Sequence, residues 1–139
     1  MHRTLSLLAL TFAFALMLAA PNAQSSELTQ EQLDAAARVY LGTADCELKQ
    51  NVHLRALEGK PGHFELTHRK ARYTLTPEVT TTGAVRLEDK QAGVVWLQIP
   101  AKSMLLNAKA GRREVDGCMH PEQRAESATP APSIGIALR

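Results

Sequence analysis

The chain has 139 residues and a formal net charge of +2, which leaves room for one domain with attachments and too little for a two-domain enzyme. Its 16 basic side chains against 14 acidic ones lack the concentrated basic excess that nucleic-acid phosphates demand. Past the first segment the aromatic residues are Tyr40, Phe64, Tyr73 and Trp96, too few to stack a row of bases or sugars.

The N-terminus reads as an export address. Arg3 gives a short positive start, residues 5–18 (LSLLALTFAFALML) are uncharged and apolar, and Pro21 and Asn22 end the run. Ala23-Gln24-Ser25 places small residues at the −3 and −1 positions of a cut before Ser26. A membrane-spanning helix needs about 20 consecutive apolar residues, more than this run offers. We therefore expect residues 1–25 to be a signal peptide and the mature chain to be periplasmic or secreted. No cysteine stands at the expected cleavage site, so no membrane anchor is expected after cleavage.

Residues 26–43 predict a short helix. Thr29 is a good N-cap, Gln32 completes a capping box, and Leu28 and Leu33 occupy the two positions of a hydrophobic staple. Leu33, Ala36, Ala37 and Tyr40 form one apolar face at helical spacing, and Gly42 is the expected stop.

From 44 to 118 the period changes to that of strands. Val52, Leu54 and Ala56 alternate with His53 and Arg55, and a Gly/Pro turn fills 58–62. Phe64 and Leu66, then Ala71, Tyr73 and Leu75, then Val85 and Leu87 alternate in the same way. Residues 94–99 form an apolar run stopped by Pro100. Residues 103–106 and a last strand ending near Cys118 close the series. Seven or eight short strands at this spacing predict an all-β fold, a small antiparallel barrel or sandwich, and closure would remove exposed edges. An exported chain with two cysteines has one intramolecular pairing, Cys46 with Cys118. Without a CxxC spacing they make poor zinc ligands. Residues 119–139, with three prolines among Ala, Ser and Glu, predict a disordered tail.

No nucleophile elbow, metalloprotease motif or catalytic Cys–His context occurs, and no enzyme activity, cofactor or metal is expected. His63 and His68, five residues apart, are expected to be solvated turn and strand residues rather than ligands. What stands out is a hydroxyl-rich loop, Thr80-Thr81-Thr82-Gly83-Ala84, followed by a strand carrying Arg86, and a segment from Trp96 through Pro100 to Lys102 and Ser103.

At these residues the chain resembles the membrane-bound/periplasmic inhibitors of c-type lysozyme (the MliC/PliC family). An early Cys on the first strand, a Ser-Gly-Ala-type loop before a strand, a Trp and a closing Cys correspond to Cys46, Thr82-Gly83-Ala84, Trp96 and Cys118. The resemblance spans roughly 44–118. It implies an eight-stranded antiparallel barrel and c-type lysozyme as the partner. It also implies a mechanism: a protruding loop brings a hydroxyl, and a neighbouring side chain an ammonium, to the two carboxyl groups that flank the scissile bond. Thr82 stands where the family has its loop Ser. Gln98, two residues after Trp96, stands where the family has Lys, Ile99-Pro100 replaces the Gly that follows, and Arg86 takes an aromatic position. The nearest ammonium after Trp96 is Lys102, and Arg86 is a second source of positive charge. The expected partner-binding set is thus Thr81, Thr82, Gly83, Ala84, Arg86, Trp96, Lys102 and Ser103. A binding module of the same fold, serving another envelope protein or a small ligand, is the alternative. Without Arg3 the mature chain has 15 basic and 14 acidic side chains, and so no long-range acidic steering toward a cationic lysozyme.

Overall fold

A computed structural model describes residues 27–129; the expected signal peptide and residues 130–139 of the expected tail lie outside them. Eight antiparallel strands follow one another in strict chain order: β1 (Gly42–Asp45), β2 (Asn51–Ala56), β3 (Phe64–His68), β4 (Ala71–Glu78), β5 (Val85–Asp89), β6 (Val94–Gln98), β7 (Ser103–Asn107) and β8 (Arg112–Cys118). Helix α1 (Gln30–Ala36) precedes them and α2 (Pro121–Ala128) follows. The sheet curls into a nearly closed barrel. The strand alternation read from the sequence is the cause: Val52, Leu54, Phe64, Leu66, Leu75, Val85, Leu87, Val94, Trp96, Leu105 and Val115 all point into one core. Ala71 and Tyr73 lie toward the margin and are only partly covered.

Strand β4 makes the curl possible. Its residues 71–75 pair with β3, whereas 76–78 pair with β5, so the strand hands the ladder from one neighbour to the next. Pro77 falls in the second half, where β4 has only one strand neighbour, a place that tolerates a missing N–H. Helix α1 lies over this stretch, and the Gln32 side chain donates to the Pro77 carbonyl at 2.7 Å. The Thr29–Gln32 capping box is present in both directions. Leu28 and Leu33 close over Gly62, where a Cβ would meet Leu28 at 2.5 Å and Leu33 at 3.1 Å.

The helix is shorter than expected. It ends at Ala36, and Gly42 begins β1 instead of stopping the helix. The reason is a long-range clamp. The buried Gln98 side chain donates to the Arg38 carbonyl at 2.8 Å and accepts from the Tyr40 N–H at 3.0 Å, holding 38–40 in a non-helical path.

Closure between β1 and β8 is not a full ladder. Asp45 and Met119 exchange two backbone hydrogen bonds of 3.1 and 2.8 Å, and the Cys46–Cys118 disulfide clasps the seam beside them. Helix α2 follows directly beside this seam, so residues 119–128 are not the disordered segment their composition suggested. His120 is the N-cap and Pro121 sits in the first turn, where its missing N–H costs nothing. Arg124 donates to the Met119 carbonyl at 3.0 Å and pairs with Asp45 at 3.2 Å. Gln123, fully buried, accepts from the His120 N–H and donates to the Ile99 carbonyl (2.8 Å) and the Ser103 hydroxyl (3.0 Å). The helix thus ties both sides of the seam together.

His120 is fully buried beneath α2, edge-on to Trp96 (6.2 Å between ring centres) and tilted on Tyr40 (5.9 Å). The Gln123 side chain and the Gly42 backbone approach the ring, but neither ring nitrogen makes a well-formed hydrogen bond among the described residues. Burial holds the imidazole below its ordinary pKa, outweighing the opposing pull of Glu122 and of the Gln123 and Gly42 contacts, with Arg124 adding a little to the depression. In the unfolded chain the ring titrates near 6.5, so the unfolded state gains a proton first as the pH falls. Stability should therefore be complete above about pH 6.5 and be lost below it, by at most about 1.4 kcal/mol per pH unit. Thermal melts at pH 7.5, 6 and 5 should show this decline, and His120→Gln should flatten it. An unchanged slope in the variant would assign the decline to another group.

Three non-glycine residues among those described hold positive φ: Leu48 (55°), Lys49 (56°) and Arg69 (55°). Each costs on the order of 1–2 kcal/mol relative to right-handed backbone. Leu48 and Lys49 belong to a single 3-10 turn, Glu47–Lys49, between β1 and β2.

Candidate functional site

Register places the hydroxyl loop and the Lys102 turn at the same end of the barrel. Val85, at the start of β5, pairs with Gln98, and Gln98 pairs with Ser103 across the next hairpin. The loop at 79–84 and the turn at 99–102 are therefore neighbours. Thr81, Thr82 and Gly83 are exposed and Ala84 is half-covered.

The loop is built rather than slack. The Thr80 hydroxyl donates to the Ala84 carbonyl at 2.7 Å, closing a five-residue ring across the loop. Gly83 takes a φ of +77°, a left-handed conformation that suits glycine. The Ala84 N–H reaches the Thr82 hydroxyl at 3.5 Å, the long limit of a hydrogen bond, so that hydroxyl keeps its own proton to donate elsewhere. The Arg38 guanidinium donates to the Gly83 carbonyl at 2.8 Å. Arg38 is itself positioned by the Gln98 clamp on its backbone. A buried amide at the barrel mouth thus sets the cation, and the cation sets the loop.

Beside the loop lies a cleft of about 310 Å³ lined by residues including Arg38, Tyr40, Gly83, Gln98, Pro100 and Glu126. The Tyr40 hydroxyl donates to the Glu126 carboxylate at 2.9 Å, which raises the phenol's pKa and fastens α2 to the cleft wall. Val79 and Leu41, 55% and 47% exposed, put apolar surface on the loop and next to Tyr40.

The other expected site residues divide. Lys102 stands on the neighbouring turn, but its ammonium is held 3.0 Å from Asp116. That carboxyl lies below its usual range, chiefly because it accepts the Gly117 N–H at 2.6 Å, with Lys102 and Arg113 adding to the effect. Arg86 points to the outer face between inward Val85 and Leu87 and pairs with Glu88 at 3.1 Å. Trp96 and Ser103 are fully buried and cannot meet a partner, which corrects their expected place at the surface. Trp96 fills the core against His120, and Ser103 accepts from Gln123. His68 is likewise not solvated: it is buried, and its Nδ1 lies 3.0 Å from the Asn51 carbonyl. His63 does fit the expectation of a turn residue: it is half-buried between β2 and β3, with Nδ1 at 3.1 Å from the Pro61 carbonyl.

Sequence reasoning missed Arg38, Tyr40 and Glu126. Their roles depend on contacts 45 to 86 residues apart in the chain, for which no local pattern exists. Comparison with protein-family models, with curated proteins and with solved structures finds no match to this chain.

Proposed function

We propose that this protein is an exported lysozyme-inhibitor-like plug, with the loop at 80–84 entering the active-site cleft of a c-type lysozyme. The observation that carries this reading is the loop itself: an exposed Thr82 hydroxyl with its proton to give, on a backbone fixed by Thr80 and Arg38. Chemically it suits a cleft with two carboxyl groups, where a hydroxyl donates to one and a cation meets the other. Such charge-assisted contacts are stronger in a desolvated cleft than on open surface.

The cation in this proposal is Arg38. Gln98 occupies the position of the family's lysine and uses its amide to seat the Arg38 backbone, while the Arg38 side chain lies against the loop. Lys102 would have to abandon Asp116 to serve, and Arg86 would have to leave Glu88 on the outer face. The alternative of a barrel that carries a small apolar ligand gains no support, because Trp96, Leu54, Leu66, Leu75, Leu87 and Leu105 fill the interior. The direct test is lysis of bacterial cell walls by a c-type lysozyme with the oxidised mature protein added. Dose-dependent inhibition approaching completion near equimolar ratio is the expected result. Full lysis at large molar excess would refute the proposal.

A further inference from the structure

All three strained non-glycine residues of the described chain gather at one corner of the barrel, away from the hydroxyl loop. Val52 pairs with His68, which sets the Glu47–Lys49 turn beside the β3–β4 turn that carries Arg69 and Lys70. The Arg69 guanidinium donates to the Gln50 side chain at 2.8 Å and joins the two turns. Leu48, at the tip, is 83% exposed, the most exposed of the large hydrophobic residues described. Lys49 on the same turn and Arg69 and Lys70 on the neighbouring one are all exposed, and none is in an ion pair among the described residues.

Nothing about this turn is loose. The Cys46 N–H donates to the Gln50 carbonyl at 2.9 Å, the Gln50 N–H returns to Glu47 at 3.2 Å, and the disulfide anchors Cys46. The one acidic side chain on the turn, Glu47, is engaged by the Asp116 N–H at 3.2 Å. A leucine held outward on left-handed backbone gains nothing for the fold. Strain of this kind persists where the surrounding structure imposes it, and it concentrates at functional sites.

We infer that the Leu48 turn and its collar of Lys49, Arg69 and Lys70 form a docking corner for an anionic bilayer surface. The chemistry is that of peripheral membrane attachment: an apolar tip enters the headgroup boundary while the cations meet lipid phosphates. An exposed leucine without the collar would suit any apolar partner. The cations without the leucine would suit any polyanion. Together on one rigid corner they select a surface that is charged outside and apolar just beneath. The eight residues of β4, about 25 Å of strand, run from this corner to the hydroxyl loop, so a docked molecule would still present the loop to solution. Docking at this corner does not depend on the inhibitor proposal.

The test is co-sedimentation of the oxidised mature chain with vesicles of phosphatidylcholine alone and of phosphatidylcholine with an equal part of phosphatidylglycerol. Binding to the anionic vesicles, weakened by added salt, is expected, with little binding to the neutral ones. Lys49→Gln with Lys70→Gln should weaken partition by about fivefold for each lysine removed. Leu48→Gly suits the left-handed backbone and so should keep or raise the melting temperature while lowering partition. Thr82→Ala should bind vesicles like the parent, which separates this corner from the loop. No binding to anionic vesicles, or binding unchanged in the Leu48 and lysine variants, overturns the inference. So does retention on polyglutamate without vesicle binding, which would make the corner a site for acidic proteins.

Discussion

Replacing both Cys46 and Cys118 by serine should lower the stability of the fold by about 4 kcal/mol, the value expected for a clasp spanning 72 residues of chain. That is a large share of what a domain of this size has to lose. The location makes the effect more than a property of the unfolded chain. Between β1 and β8 the backbone supplies one bridging pair, Asp45 with Met119, and the disulfide lies directly beside it. The adjoining turn stores strain at Leu48 and Lys49, which Cys46 helps to hold. Urea denaturation of the oxidised parent and the double-serine variant measures the difference. A loss under about 1 kcal/mol would mean that α2 and the Asp45–Met119 bridge close the barrel without the clasp.

The second effect concerns the loop. Thr82→Ala combined with Arg38→Ala should abolish inhibition of a c-type lysozyme while moving the melting temperature little. Hydrogen bonds to charged groups are worth about 1.5–3 kcal/mol each, so each substitution alone should weaken inhibition by roughly tenfold to a hundredfold or more. Both side chains are exposed, and what they give the fold are surface hydrogen bonds: Arg38 to the Gly83 carbonyl, and the long one from the Ala84 N–H to Thr82. Lys102→Ala gives the contrasting pattern. It removes one partner from the nearly buried Asp116, so it should cost stability and leave most of the inhibition. If Lys102→Ala abolishes inhibition and Arg38→Ala does not, the cation has been assigned to the wrong residue.

Much of the fold was legible because strands with one buried face write their period into the sequence. The alternations at Val52 and Leu54, Phe64 and Leu66, and Val85 and Leu87 all face the core. The same parity places His68 inward with Phe64 and Leu66, a signal that was present and outweighed by the polarity of the residue. What local pattern could not carry were the ends. Helix α1 stops early because Gln98, 60 residues away from Arg38, captures its backbone. Helix α2 was hidden by a composition of Pro, Ala, Ser and Glu. Its stability comes from Gln123 buried against Ile99 and Ser103 and from Arg124 on Asp45, none of which shows as periodicity. The turn character of 80–84 was legible from its residue types. The cation beside it was not, since Arg38 reaches Gly83 across 45 residues of chain. Trp96 entered the partner-binding set through the resemblance alone, and a full set of inward neighbours places it in the core.

Whether the loop occupies the lysozyme cleft is best decided by competition with a cleft-bound oligosaccharide. Binding of a chain beginning at Ser26 to a c-type lysozyme should be measured by titration calorimetry with and without saturating tri-N-acetylchitotriose. If the loop fills the cleft, the sugar weakens the apparent affinity in proportion to its own occupancy, with no ternary complex. Affinity unchanged by the sugar, or no binding at all, would contradict the plug mechanism.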